Sequence, residues 1–269
     1  AAHSRQEPDV QVEEDDPLVI VYTSGTTGVP RGALYTQRRF LDDTKTLVII
    51  MGLQPGDKHV QIMPLFHIGG GTHFRAFFYI GGTTVIMPQR SFDPAATLQT
   101  IQDEKATDID IVATHLVAML ALPNVDKYDL SSLKRMWYAA SPMPVEVLKK
   151  GIKTWGHIFA QAYGETESGP AITDLPRKDH NVMDRPPEQQ RVLASAGRPS
   201  IGVHVRVVDD KDNDVEPGEV GEIIVHSKHT MVEFWRKPVG CCTIKELASL
   251  RPGDMGRYDE KGYIYIVDR

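Results

Sequence analysis

The residues best suited to chemistry stand near the start of the chain, in Tyr22-Thr23-Ser24-Gly25-Thr26-Thr27-Gly28-Val29-Pro30-Arg31-Gly32. Glycines let a backbone turn sharply and present its N–H groups, Ser and Thr hydroxyls add neutral donors, and Arg31 adds a fixed positive charge. Together they suit a polyphosphate. The bland alternative is a plain strand-to-helix turn; the hydroxyl residues, glycines and cation crowded into this run argue against it. The run lacks the Gly-Lys-Ser/Thr ending of a Walker A loop. A second cluster, Tyr163-Gly164-Glu165-Thr166-Glu167, gathers an aromatic ring, a hydroxyl and carboxylates. A carboxylate suits Mg2+, a hard ion that prefers oxygen. The alternative for Glu167 is a solvated surface acid, but the end of a sheet strand is where such folds bind ligands.

Other chemistries find less support. No His-Glu-x-x-His pair occurs, and His226 and His229, three apart on an expected strand, should face opposite sides. No Gly-x-Ser-x-Gly elbow is present, which argues against a serine hydrolase. Cys241 and Cys242 are adjacent and read as free thiols of a reducing cytoplasm.

The elements that must position these clusters alternate in type. Apolar runs at 18–22, 59–63, 83–87, 109–113, 134–139 and 158–162 read as strands, the first of them buried. Helical spacing covers 37–51, 71–80, 94–105, 115–122 and 145–155. Strand–helix alternation implies an α/β fold with mainly parallel sheets flanked by helices. The polar segment 177–190 reads as a surface loop. After about Ser195 short strands at 203–208, 219–226 and 262–267, separated by Gly, Pro and Asp, suggest a small β-barrel-like subdomain. The expected units are therefore 1–50, a phosphate-loop strand and helix of an incomplete first α/β subdomain; 51–195, a second α/β subdomain; and 196–269, the β subdomain.

Composition narrows the function. With 25% charged and 41% hydrophobic residues the 269-residue chain is ordinary globular sequence. A net charge of −6 without a basic run argues against nucleic-acid binding. No apolar stretch reaches membrane-spanning length, and the polar N-terminus lacks the features of a signal peptide.

The glycine- and threonine-rich loop resembles the phosphate-binding loop of the adenylate-forming superfamily, which contains acyl-CoA synthetases, peptide-synthetase adenylation domains and beetle luciferases. Further matches follow in the family's order. Met63-Pro64-Leu65-Phe66-His67-Ile68-Gly69-Gly70 resembles the motif bordering the acyl pocket, and Ala139-Ala140-Ser141-Pro142 the loop beside the adenine. Tyr163–Glu167 resembles the Tyr-Gly-x-Thr-Glu motif, and Pro252-Gly253-Asp254-Met255-Gly256 the ribose-binding motif. Tyr263-Ile264-Tyr265-Ile266-Val267-Asp268-Arg269 resembles the strand leading to the interdomain hinge. Two positions depart from the pattern. Arg31 stands where Lys is usual, replacing a point charge by a planar fork, and Pro252 stands where a hydroxyl residue is usual.

The resemblance implies an AMP-forming acyl-CoA ligase. Its catalytic residues would be Arg31, Thr166 and Glu167, with Glu167 holding Mg2+. ATP would meet Thr23, Ser24, Gly25, Thr26, Thr27, Gly28, Ala140, Ser141, Pro142, Tyr163, Asp254 and Arg269, and His67 and Gly164 would border the acyl pocket. ATP, Mg2+ and the co-substrate CoA are the implied cofactors. The implied partners are a small carboxylic acid, ATP and CoA in the cytoplasm, with no nucleic acid, no membrane span, and a homodimer left open. The resemblance further implies that the chain stops at the hinge, without the mobile C-terminal domain, and is inactive or weak alone. Adenylation for a carrier protein, and nucleotide binding without turnover, remain as alternatives.

Overall fold

The computed structural model describes residues 6, 8–23, 30–88, 91–236, 243–244 and 249–268. Ser24, Gly25, Thr26, Thr27, Gly28, Arg269, Cys241 and Cys242 lie outside the described residues.

The chain opens with an antiparallel hairpin of β1 (Pro17–Thr23) and β2 (Arg31–Thr36), in which Thr23 pairs with Arg31 at the end where the run between them joins the two strands. Two expectations change here. The first strand is only half-buried, with Tyr22 62% exposed, and the chemistry-bearing run returns into a second strand before any helix begins. The buried member is β2, whose Ala33 and Tyr35 pack with Phe234 and Leu250.

Helix α1 (Gln37–Met51) follows directly. Thr36 caps its start, accepting from Arg39 N–H, and Gly52 ends it in the left-handed conformation that glycine adopts without Cβ strain. Strands β3 (Lys58–Gln61), β4 (Thr83–Ile86), β5 (Asp108–Ile111), β6 (Arg135–Tyr138) and β7 (Phe159–Glu165) run parallel in the order β4-β3-β5-β6-β7. Antiparallel β8 (Gly169–Leu175) and β9 (Arg198–Pro199) extend that sheet.

The crossovers are α2 (Ile68–Tyr79), α3 (Pro94–Glu104), α4 (Ala113–Leu120) and α5 (Val145–Trp155). On one sheet face Val60, Ile109, Met136, Tyr138 and Phe159 join Leu98 and Ile101 of α3, Leu116 and Met119 of α4, and Leu148 of α5 in a dry core. On the other face Trp137, Ala160 and Ala162 meet Leu47 and Met51 of α1 and Phe77 of α2. The small side chains of Ala160 and Ala162 leave room there.

The segment 177–190 is more structured than its polarity suggested. It holds a 3-10 turn, Arg177–His180, and a short helix α6 (Pro187–Gln190). His180 is fully buried: its Nδ1 lies 3.1 Å from the Pro176 carbonyl and its Nε2 2.9 Å from Tyr138 Oη. A mostly polar stretch thus hides one ring that docks beneath the sheet.

The remainder is antiparallel. Strands β10 (Val203–Val208), β11 (Gly221–Ser227), β13 (Thr243–Ile244), β14 (Ser249–Leu250), β15 (Met255–Tyr258) and β16 (Ile264–Asp268) form a separate sheet. Strand β12 (Glu233–Phe234) instead joins β2 in the first sheet.

Candidate functional site

The three sheets meet around a cavity of about 810 Å3. Its walls come from the carboxyl ends of β5, β6 and β7, from the start of α2, from the Thr23–Arg31 end of the β1–β2 hairpin, and from 250–253. The carboxyl edge of a parallel sheet is where open α/β folds bind ligands, because strands and crossover helices leave a crevice there.

Seven residues expected at the site line this one cavity: Thr23, Arg31, His67, Ala140, Gly164, Thr166 and Glu167. Thr23 and Arg31 are cross-strand partners, so both ends of the Ser/Thr/Gly run are anchored on the cavity wall. The Arg31 guanidinium lies over the Phe234 ring, 4.9 Å from its centroid, and its Nε is buried without a hydrogen-bond partner among the described residues.

Thr166 and Glu167 are held by their backbone rather than by their side chains. Tyr35 Oη donates to the Thr166 carbonyl, and the Met231 N–H donates to the Glu167 carbonyl at 2.9 Å. Arg39 braces the same segment through the Thr230 carbonyl at 2.9 Å. Burial pushes the Tyr35 phenol up, so it stays a neutral donor. The Glu167 carboxylate is left facing the cavity, with Thr23 Oγ1 donating to Oε1 at 3.4 Å.

Two glycines allow this geometry. A Cβ on Gly164 would lie 2.2 Å from the Gly169 carbonyl oxygen, so the β7–β8 hairpin closes only with glycine there. A Cβ on Gly70 would lie 2.1 Å from the Pro64 carbonyl oxygen, which lets the first turn of α2 sit directly on the 63–65 backbone. His67 neither enters the core nor stands free. It is the N-cap of α2, its Nδ1 accepting from Gly69 N–H at 3.0 Å, while its ring borders the cavity. Ala140 sits at φ 65°, a left-handed conformation that costs a β-carbon-bearing residue about 1–2 kcal/mol.

Ser141 and Pro142 are exposed just past Ala140 and do not line the cavity. Tyr163 and Asp254 are brought together behind the wall formed by Gly164 and Gly253: Tyr163 Oη donates to Asp254 Oδ2 at 2.5 Å, and Asp254 is 2% exposed. The motif Tyr163–Glu167 was expected to follow a strand, but β7 runs through Tyr163 and Gly164 to Glu165.

The lining also includes residues that motif reading missed: His73, Asp110 and Trp137 in the interior, Phe234 on the wall, and Arg251, which is paired with Asp212 and Glu222. A signal for one of them was present. Asp110 interrupts the apolar run Ile109-Asp110-Ile111, and a charged residue in a fully buried four-residue strand needs a reason.

Parallel sheet, carboxyl-edge cavity, and Thr23 and Arg31 paired beside the Glu167 carboxylate define an α/β protein of the adenylate-forming kind. The chain belongs to the AMP-binding enzyme family, whose model matches residues 1–235. It is 32% identical over 261 residues to an indoleacetate–CoA ligase of Aromatoleum aromaticum, covering 97% of this chain and 49% of that protein. It is also 32% identical to the medium/long-chain-fatty-acid–CoA ligase FadD8 of Mycobacterium tuberculosis, covering 95% of this chain and 43% of the relative. The inhibitor-bound N-terminal domain of FACL13 from Mycobacterium tuberculosis superposes with a TM-score of 0.87 at 28% identity, covering 99% of this chain and 64% of that one. The chain spans about half the length of the curated relatives it matches.

Proposed function

We propose that the cavity brings ATP and a carboxylic acid together, joins them as an acyl-adenylate, and passes the acyl group to CoA. The observation that carries this reading is the convergence of Thr23, Arg31, Thr166 and Glu167 on one cavity that also holds apolar lining from Leu47, Met51, Ile111 and Phe66. In the first half-reaction a carboxylate oxygen attacks the α-phosphorus, and the α–β bridging bond breaks to release pyrophosphate. In the second the CoA sulfur attacks the acyl carbonyl, AMP leaves, and the thiol proton passes to solvent. Positioning and charge neutralisation carry such phosphoryl chemistry more than proton abstraction does.

Each residue has a task in this reading. Arg31 and the loop running from Thr23 through Ser24, Gly25, Thr26, Thr27 and Gly28 hold the polyphosphate. Thr166 donates to the α-phosphate. Ala140, Ser141 and Pro142 lie along the adenine, Tyr163, Asp254 and Arg269 place the nucleoside, and His67 and Gly164 border the acyl group. Glu167 offers the hard oxygen donor Mg2+ prefers, and such sites use one or two carboxylates plus substrate phosphates. Bound there, Mg2+ would neutralise phosphate charge. The setting we infer is the cytoplasm; among the described residues no helix is long and apolar enough to cross a membrane.

The test supplies the full-length protein with ATP, Mg2+ and acetate, octanoate, palmitate or arylalkanoic acids, with hydroxylamine or CoA as acceptor. Acid-dependent pyrophosphate release, hydroxamate and CoA thioester are expected. Release of ADP, or nucleotide binding without turnover on any acid, overturns the reading. Hydroxamate formation with acyl transfer only to a carrier protein would correct the acceptor.

A further inference from the structure

The interior of the cavity carries polar groups whose hydrogen-bonding atoms are left unsatisfied among the described residues. Asp110 on β5, Trp137 on β6 and His73 on α2 all line it and are 6%, 4% and 9% exposed. His59 stands behind them, fully buried and stacked on His73 with ring centroids 5.1 Å apart. Both nitrogens of His73 and of His59, Asp110 Oδ1 and Trp137 Nε1 are buried with no hydrogen-bond partner among the described residues. His59 Nε2 stands 3.3 Å from Asp110 Oδ1 and His73 Nδ1 3.6 Å from Oδ2, close enough to act on the carboxyl, yet neither contact has the geometry of a full hydrogen bond. Leaving one buried polar group unpaired costs about 1–3 kcal/mol, and more if it is charged. Several gathered at one cavity surface mark a place where a partner is expected from outside the chain.

The group is not a metal site: among the described residues no three His, Cys, Asp or Glu side chains converge as ligands. Its position is set by strand register. Asp110 pairs with Trp137, and Trp137 with Ala160, whereas the Glu165–Glu167 wall begins five residues further along β7. At about 3.3 Å per residue this polar row lies ~16 Å deeper than the phosphate-facing wall. Ala160 and Ala162 keep the intervening sheet face low, while Leu47, Met51 and Ile111 make the sides apolar.

The chemistry of the row selects its ligand. Burial pushes the His73 imidazole down, so it is neutral and can donate through one nitrogen and accept through the other. Burial pushes the Asp110 carboxyl up, but the His73 and His59 ring nitrogens directed at its oxygens outweigh that and hold it below its ordinary range, so it serves as an acceptor. Trp137 Nε1 can only donate. A hydroxyl complements the cavity-facing members of this set, donating to Asp110 or His73 and accepting from Trp137. A distal carboxylate would face the Asp110 charge, and a distal methyl would leave the row unpaired.

We propose that the activated acid carries a hydroxyl at the end remote from its carboxylate, recognised by Asp110, His73 and Trp137. This rests on the acid-activating reading above and names its substrate class. The shared chemistry is the hydroxyl, which could sit on a phenol ring or at the end of an alkyl chain.

The experiment measures kcat/KM for pyrophosphate release by the full-length protein on paired acids: 4-hydroxyphenylalkanoates against phenylalkanoates, and ω-hydroxyalkanoates against alkanoates, each over several chain lengths. At least one pair should favour the hydroxyl acid by about tenfold or more, the scale of a hydrogen bond to a charged group. The pair showing it identifies the phenolic or the alkyl source. Asp110→Asn should bring that ratio toward one, and His73→Leu should invert it, while the KM for ATP stays near the parent value. The ratio is taken within one protein, so a loss of stability cancels, and either variant alone suffices if the other does not fold. Turnover of acids without hydroxyl preference, or a preference untouched by both substitutions, overturns this inference and leaves acid activation standing. Absence of turnover on every acid overturns both.

Discussion

Gly164→Ala is a one-carbon test of how the site is built. The added Cβ would stand 2.2 Å from the Gly169 oxygen, 2.7 Å from the Pro170 carbonyl carbon and 2.9 Å from the Ala171 nitrogen. All three are backbone atoms of the neighbouring strand, so no side-chain rotation relieves them. Overpacking of this kind costs about 1–3 kcal/mol, and three backbone contacts place this case at the upper end. For a chain of this size ~3 kcal/mol lowers Tm by roughly 6–12 °C. Opening the hairpin also shifts Thr166 and Glu167, so ATP affinity should fall with stability. Gly71→Ala is the control, since its Cβ would meet nothing closer than 3.6 Å and lies within α2. There alanine should stabilise, by up to about 1 kcal/mol. Scanning calorimetry and nucleotide titration on both variants of the full-length protein give the comparison. Equal Tm values for Gly164→Ala and the parent would refute the close approach of β7 to β8.

Three other perturbations bear on the same architecture. Glu167→Gln should raise the Mg2+ concentration needed for half-maximal pyrophosphate release while leaving Tm unchanged; normal turnover at limiting Mg2+ would remove Glu167 from the metal role. Ala140→Gly should raise stability by about 1 kcal/mol by relieving the left-handed strain, read from denaturant midpoints; a lower midpoint would contradict it. His180 is pushed by burial from 6.5 down to about 4, so it favours the folded state fully above pH 6.5 and loses that contribution as pH falls toward 4. The parent should therefore lose about 2 kcal/mol more than His180→Gln between pH 7 and pH 5, and equal losses in the two proteins would show that His180 does not titrate with folding.

Much of the fold was legible because hydrophobic period and caps agree. The helix at 37–51 carries its own start and stop in Thr36 and Gly52, and the helix at 145–155 its amphipathic spacing; both ranges match the structure. Strand β2 was hidden because its six residues follow the loop without a turn signal before the helix, and its burial comes from Phe234 and Leu250, some 200 residues away. The pairing of Thr23 with Arg31, by contrast, follows once the run between them is read as one loop. His180 could not be read as buried, since its neighbours Arg177, Lys178 and Asp179 are charged and its pocket is made by Tyr138. Apart from Asp110, which breaks an apolar run, the row of His73, Asp110 and Trp137 was hidden for a similar reason. Its members belong to three separate elements and meet only through the parallel register of β5 with β6 and the packing of α2 on that face.

The central claim is that a carboxylate oxygen attacks the α-phosphorus of ATP in this cavity. The most direct measurement uses the acid that gives the fastest pyrophosphate release, labelled with oxygen-18 in both carboxylate oxygens. The full-length protein is run with CoA to completion, and the nucleotide product is analysed by mass spectrometry. AMP carrying one oxygen-18 atom is the expected result, since the bridging oxygen of the adenylate stays with phosphorus when the thiol displaces it. Unlabelled AMP, or ADP with label in free phosphate, would contradict the claim.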